Sequence, residues 1–275
     1  MKEIYIWILG LIIIAVVIYA LPFGLDKTKV ILPTKKVKSN IRFIVLADLH
    51  DAKYGKNMKR LIKPILSYSP DFILLPGDIF EWKQNKDNAW NLVSQLGQEK
   101  IPMLFSYGNH ETFQSDSYLM SEKLKELGVI VLSHQCHELN INGETIEVVG
   151  VEDRNEEELY DAHIINQLFH NEDSYRIVML HRPHYERLNK DIDCDMIVSG
   201  HAHGGQWCIP FTKKGFFAPQ QGFFPKWTHG TIKLEDKTLL ISRGLNRASY
   251  CIPRLFNRPE LLLVELKPYR AISSK

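Results

Sequence analysis

Cysteine is scarce in this chain. Among 275 residues only Cys136, Cys194, Cys208 and Cys251 occur, widely spaced and with no C-x-x-C pair. That pattern argues against a cysteine-built zinc site, and spacing alone pairs none of the four; buried free thiols are the expectation. An excess of one charge is also missing. Lys and Arg total 34 against 32 Asp and Glu, a formal net charge of +2. The electrostatic footprint of a nucleic-acid-binding surface is therefore absent from the balance, and nucleic acid is not an expected partner. There is no internal repeat and no low-complexity tract. The H-E-x-x-H and H-x-H-x-D-H patterns of two large metallohydrolase classes do not occur.

What is present begins with an apolar run. From Ile4 to Phe23 no side chain is charged. Such a run spans about 30 Å as a helix, the thickness of a bilayer core. Tyr5, Trp7 and Tyr19 stand near its ends, where aromatic rings favour the interface. The run exceeds the usual apolar core of a cleaved signal peptide, and no clear A-x-A site follows. Residues 1–24 read as a single-pass membrane anchor, with a cleaved signal as the rival. Lys27, Lys29, Lys35, Lys36 and Lys38 follow the run. By the positive-inside rule they place the body in the cytoplasm. The usual layout of signal anchors places it outside, so the side stays open.

Residues 25–40 are polar and lysine-rich with Pro33 among them, and read as a linker. The body, 41–275, alternates short apolar runs with amphipathic ones. Ile41–Ala47, Phe72–Leu75, Met103–Ser106, Ile146–Val151, Arg176–Leu180 and Met196–Val198 have the pattern of buried strands. Met58–Ser67, Asp87–Glu99, Ser117–Leu127 and Glu157–Phe169 have helical spacing. Thr231–Leu234 and Thr238–Ser242 would pair as a hairpin. The alternation implies an α/β layered fold.

Five clusters lie just past the ends of these strands: Asp48-Leu49-His50, Gly77-Asp78, Gly108-Asn109-His110-Glu111, His181, and Gly200-His201-Ala202-His203. In α/β sheets, sites gather at the carboxyl ends of strands. Each cluster alone is a weak signal. A Gly-Asp is usually a turn, an Asn before a helix is usually a cap, and a single His is usually a core residue. All five in order, each after an apolar strand, form a strong one. The donors are oxygen and imidazole, which suits manganese, iron or zinc.

In these motifs the sequence resembles the calcineurin-like metallophosphoesterases, whose pattern runs D-x-H, GD, GNH[DE], H and GHxH. The resemblance covers Ile41 to about Leu266. The longer Ser199–Gln206 stretch and Ser242-Arg243-Gly244-Leu245 resemble the bacterial membrane-anchored or exported subgroup, similar to UDP-2,3-diacylglucosamine hydrolase-like phosphoesterases. The resemblance implies a four-layer α/β/β/α sandwich and two divalent cations. Asp48, His50 and His203 would hold one, Asn109, His181 and His201 the other, and Asp78 would bridge them. It implies hydrolysis of a phosphoester or pyrophosphate by a metal-activated hydroxide. His110 would protonate the leaving oxygen and Glu111 would orient its ring. Many relatives carry Asp at that last position, so the orienting contact is the weakest of these assignments.

His134, His137, His163, His170, His184 and His229 fit no motif, although His184 lies one helical step after His181. The stretch after the last motif is rich in aromatics: Trp207, Phe211, Phe216, Phe217, Phe223, Phe224 and Trp227, with Pro210, Pro219 and Pro225. It lacks helical or strand period and reads as long loops. Packing over a sheet edge is the plain expectation; an apolar wall beside the metals, or a surface that dips into lipid, is the sharper one. With the anchor, that points to an amphiphilic phosphoester substrate. The alternatives are a membrane-tethered binding module of the same fold that has lost catalysis, and a nuclease.

Overall fold

The computed structural model describes residues 2–82, 86–115, 117–154, 156–210, 212, 214–249 and 252–269. The chain opens with helix α1 (Lys2–Ala20). It continues through strands β1 (Asp26–Thr34) and β2 (Ile41–Val45), helix α2 (Lys59–Tyr68), β3 (Phe72–Leu75), α3 (Asp87–Gln98) and β4 (Met103–Phe105). The short helix α4 (Asn109–Thr112), α5 (Ser117–Glu126) and β5 (Val129–Val131) complete the first half. The second half runs β6 (Gln135–Ile141), β7 (Glu144–Val151), α6 (Ala162–Asn166), β8 (Tyr175–Leu180), α7 (Glu186–Asp191) and β9 (Met196–Ser199). A ribbon of β10 (Phe217–Ala218) and β11 (Gly222–Phe223) follows, then the hairpin β12 (Gly230–Leu234) and β13 (Lys237–Ile241). A second ribbon, β14 (Ala248–Ser249) and β15 (Ile252–Pro253), leads to β16 (Glu260–Pro268).

These strands make two six-stranded sheets, ordered β1-β16-β2-β3-β4-β5 and β12-β13-β9-β8-β7-β6. Strand alternation builds three apolar layers from them. Phe43, Val45, Phe72, Leu74 and Leu104 of the first sheet meet Val148, Ile177, Met179, Val198 and Leu240 of the second. Ile44, Ile73, Leu75, Met103 and Phe105 face the opposite way, onto Leu61 and Ile65 of α2, Leu92 and Leu96 of α3, and Leu124 of α5. Val149, Val178, Ile197 and Leu239 cover the other side with Ile165 of α6 and Leu188 of α7. The order is helix, sheet, sheet, helix. Strands β3 and β4, and β2 apart from exposed Arg42, are apolar on both faces because both faces are covered.

The expected elements are present with end shifts of a residue or two, and two expectations need correction. Residues 25–40 are not a free linker. Asp26–Thr34 pairs in parallel along β16, from Asp26 beside Glu260 to Thr34 beside Pro268. Its burial alternates strictly, with Lys27, Lys29, Ile31 and Pro33 outward. Lysine and proline on the open side of an edge strand are what keep such an edge from pairing further. The helical stretch expected over Glu157–Phe169 is broken. A 3-10 turn at Glu157–Leu159 ends, and α6 restarts where Asp161 caps it by accepting from His163 N at 2.9 Å.

Three described cysteines, Cys136, Cys194 and Cys208, are free thiols, and Cys194 alone of them is buried. Cys251 and Phe211 lie outside the described residues.

Helix α1 is long and apolar enough to cross a membrane: Glu3–Ala20 has a mean hydropathy of 2.4 and is 6% buried. Its far end touches the body, where Phe256 N donates to Ala20 O at 2.7 Å and the Tyr19 and Phe256 rings lie 6.0 Å apart.

Candidate metal centre

The loops after β2, β3, β4, β8 and β9 converge at one edge of the two sheets. Asp48 and His50 follow β2, Asp78 follows β3, Asn109 and His110 open α4 after β4, His181 follows β8, and His201 and His203 follow β9. Five of the seven expected ligands hold left-handed backbone: Asp48 (φ 49°), His50 (46°), Asp78 (54°), His201 (63°) and His203 (47°). Such a conformation costs a non-glycine residue roughly 1–3 kcal/mol, and it persists where surrounding structure enforces it. After β2, β3 and β9 the chain thus turns tightly and throws Asp48 and His50, Asp78, and His201 and His203 into the centre. The neighbouring glycines clear the space. A Cβ on Gly108 would sit 2.3 Å from Asp78 Oδ1, and one on Gly200 would sit 2.6 Å from Asp48 Oδ2.

Two overlapping groups of ligand atoms form there: Asp48, His50, Asp78 and His203, and Asp78, His181 and His201. Asp78 belongs to both. Its Oδ2 lies 3.2 Å from His181 Nε2 and 3.6 Å from His50 Nε2. Around that atom, His203 Nε2 is 3.2 Å from His50 Nε2 and 3.7 Å from Asp48 Oδ1. Asn109 Oδ1 is 3.2 Å from His181 Nε2. The seven side chains therefore converge, with Asp78 common to the two groups and Asn109 beside His181.

The donor set fits divalent cations on three grounds. First, Asp48 Oδ2 is buried without a hydrogen-bond partner among the described residues. A buried unpaired carboxylate oxygen is costly, and a cation removes the cost. Second, the tautomers suit ligation. His181 Nδ1–H donates to Pro76 O at 2.9 Å, and His50 Nδ1–H to Glu81 Oε2 at 3.2 Å, leaving Nε2 of each ring for a metal. Third, the electrostatics call for positive charge. Burial alone would lower the pKa of His181, but the Asp78 carboxylate beside it outweighs that and pushes it up to about 10. Burial opposes ionisation of Asp78 too, yet His181 and His50 hold it well below the usual carboxylate range. By contrast, burial, with His181 and Arg182 close by, keeps His201 low and neutral; burial and His50 do the same for His203. Neutral imidazole is the form that binds a metal.

One assignment is overturned. Glu111 does not orient His110. Its carboxylate is buried and accepts from four backbone amides: Asp78 N (2.8 Å), Ile79 N (2.7 Å), Phe80 N (3.0 Å) and Gly108 N (2.9 Å). On α4 it points about 100° away from its neighbour His110 and stitches the turn after β3 to that after β4. Burial and then the Asp78 charge push its pKa up to about 7.

The carboxylate on the His110 ring is Glu81, which the sequence reading missed. His110 Nδ1 lies 2.9 Å from Glu81 Oε1, while Oε2 of the same side chain meets His50. The three residues form a connected group beside the metal ligands. Burial works against ionisation of Glu81, but the bonds from His110 and His50 prevail and lower its pKa. Burial likewise lowers His110, and the bond to Glu81 prevails and raises it. Only its place three residues after Asp78 hinted at Glu81.

Two other residues reach the centre unannounced. Gln220, from the turn between β10 and β11, puts Oε1 2.6 Å from His201 Nε2. Asn246 sets its side-chain amide 3.1 Å from His203 Nδ1, and its carbonyl oxygen takes a hydrogen bond from buried Arg254. His184 lies near, its ring 6.2 Å from that of His201.

A fold of two sheets between helices, with a paired-cation ligand set at the strand ends, defines a metallophosphoesterase. The calcineurin-like phosphoesterase profile matches residues 41–205, and the chain belongs to that family of hydrolases. It is 27% identical over 231 residues to the phosphodiesterase YaeI of Escherichia coli (strain K12), covering 82% of each. It is 27% identical over 237 residues to YpbG of Bacillus subtilis (strain 168), covering 85% of each. It is also 26% identical over 291 residues to a Danio rerio transmembrane protein with metallophosphoesterase domain, covering 94% of this chain and 62% of that one.

Proposed function

We propose that the chain is a membrane-anchored, two-metal phosphoesterase that hydrolyses a phosphoester or pyrophosphate. The position of Asp78 Oδ2, between His181 and His50, carries the reading, because one carboxylate oxygen within reach of both ligand sets is what a shared bridge requires. Asp48, His50 and His203 would hold one cation, and Asn109, His181 and His201 the other. When bound, two such cations polarise the phosphoryl oxygens and lower the pKa of water. The protein's own groups do the rest. Asp78 would place negative charge between two like charges and so let them sit close. His110, held by Glu81 and with its pKa raised, keeps a proton for the oxygen that leaves phosphorus. Asn109 adds an oxygen donor without adding charge.

The apolar α1 and the transmembrane relative support anchoring of the body at a membrane. They also support an amphiphilic phosphoester as substrate. Manganese, iron and zinc all suit the donors. The test is turnover of p-nitrophenyl phosphate, its bis-ester and lipid-linked phosphates by the purified chain with manganese. Chelation and Asp78→Asn each abolish turnover if the reading holds. Undiminished turnover in Asp78→Asn would refute it.

A further inference from the structure

The aromatic residues expected to lie in loops are partly ordered into the ribbon β10–β11, where Phe217 pairs with Phe223 and Ala218 with Gly222. Its large apolar side chains face outward: Phe223 is 67% exposed, Phe224 65% and Phe217 43%. A soluble surface rarely groups such rings, and a contiguous apolar patch marks a contact with something apolar. Phe216 lies behind them, its ring 5.4 Å from Phe223, 5.6 Å from Phe224 and 5.7 Å from Trp207.

The ribbon joins two other parts of the molecule. On one side it is fixed to the loop that carries His201 and His203. Phe216 N donates to Gly205 O at 3.0 Å and to Trp207 O at 2.7 Å, and Gln220 at the ribbon's tip meets His201. On the other side it is linked to the end of α1 through Trp207, whose ring stacks on Phe216, and through residues 208, 255 and 256. Cys208 N donates to Leu255 O at 2.9 Å, and the next residue, Phe256, donates to Ala20 O. The ring of Tyr19 packs against Phe256 and under the Arg258 guanidinium. The exposed phenylalanines thus lie on the part of the body tied to α1, the helix long and apolar enough to cross a bilayer.

We propose that the ribbon β10–β11 docks into the same lipid surface that α1 enters. This places Gln220 and the metal centre at the membrane face. A phosphoester whose apolar portion stays in the bilayer then reaches the ligands with its headgroup alone. Phenylalanine rings on a two-stranded ribbon suit this, because they offer apolar area without charge to desolvate. The occupant is a lipid bilayer, identified by the adjoining span. The proposal rests on the phosphoesterase reading for its substrate but not for the docking itself.

The experiment places the photocrosslinker p-benzoylphenylalanine at position 223 or 224 of the full chain, in vesicles of phosphatidylethanolamine and phosphatidylglycerol. Tyr118, 71% exposed on the outer face of α5, is the negative site, and Ile13 of α1 is the positive one. Lipid adducts at 223, 224 and 13 but not at 118 are expected. Adducts at 13 with none at 223 or 224 would overturn the docking. A second arm compares the double variant Phe223→Ser/Phe224→Ser with Phe223→Leu/Phe224→Leu. The serine pair should lose tenfold or more of turnover on a lipid phosphoester in vesicles, stay within about twofold on the soluble bis-ester, and be rescued by leucine. An equal loss on both substrates, or no loss on either, would contradict the proposal. Failure of the unaltered chain to hydrolyse any phosphoester would instead refute the phosphoesterase reading and leave the crosslinking result standing.

Discussion

Glu81→Ala removes one side chain that touches both a candidate metal ligand, His50, and the candidate acid, His110. Its two oxygens accept from His110 Nδ1 at 2.9 Å and from His50 Nδ1 at 3.2 Å. Each is a charge-assisted bond, worth about 1.5–3 kcal/mol when its partner would otherwise be left unsatisfied. Loss of a group behind a metal-bound imidazole typically lowers metal affinity or activity about 10–100-fold. Loss of general-acid positioning comes on top, since that catalysis is worth roughly 10²–10⁴-fold. Glu81→Ala should therefore weaken the cation on the Asp48–His50–His203 side, visible by titration with manganese. At saturating metal it should lower kcat by about 10²-fold for poor leaving groups and little for p-nitrophenolate, which needs no proton. The pH profile adds a sign. His110 must be protonated to act, and Glu81 raises its pKa, so activity falls on the basic side as pH climbs through that raised value. Without the carboxylate the basic limb should move to lower pH. Glu81→Gln should keep part of the metal affinity but not the pH shift. Unchanged metal affinity, leaving-group dependence and basic limb in Glu81→Ala would refute this account.

His110→Ala should retain two metals per chain by elemental analysis and lose about 10²–10⁴-fold in kcat on alkyl esters; loss of metal would remove the acid assignment. Glu111→Ala leaves four buried amides unsatisfied, so thermal unfolding should show a loss of about 3–5 kcal/mol, while a shift within experimental error would contradict its stitching role. Gly200→Ala puts a Cβ 2.6 Å from Asp48 Oδ2, and calorimetric metal titration should show the Asp48 cation weakened, an unchanged isotherm being the contrary result. Burial pushes the Cys194 thiol up to about 12. It should therefore stay protonated and inert to iodoacetamide at pH 8 until urea unfolds the chain, and rapid labelling of folded protein there would contradict that placement.

The candidate centre was legible because its residues sit at strand ends, and most of those strands announce themselves by a run such as Phe72–Leu75 that is apolar on both faces. The contacts behind the ligands were not legible. Glu81 reaches His110 across 29 positions of sequence, whereas Glu111, adjacent to it, is turned away by the helical step. The left-handed turns at Asp48, His50, Asp78, His201 and His203 leave only a faint trace in residue type, because Asp and His adopt that backbone more readily than most residues yet are not the glycines that would mark it. Strand β1 was hidden by its own edge chemistry: Lys27, Lys29 and Pro33 make the composition of a linker, and only the alternation with Thr28, Val30 and Leu32 marks the buried side. The ribbon at Phe217–Phe223 is too short to show a period.

Anomalous diffraction from manganese-soaked crystals of the chain tests the central claim most directly. Two peaks about 3.5–4 Å apart are expected, with an Asp78 oxygen between them and the two sets of three ligands on either side. A single peak, or a pair that Asp78 does not bridge, would contradict it.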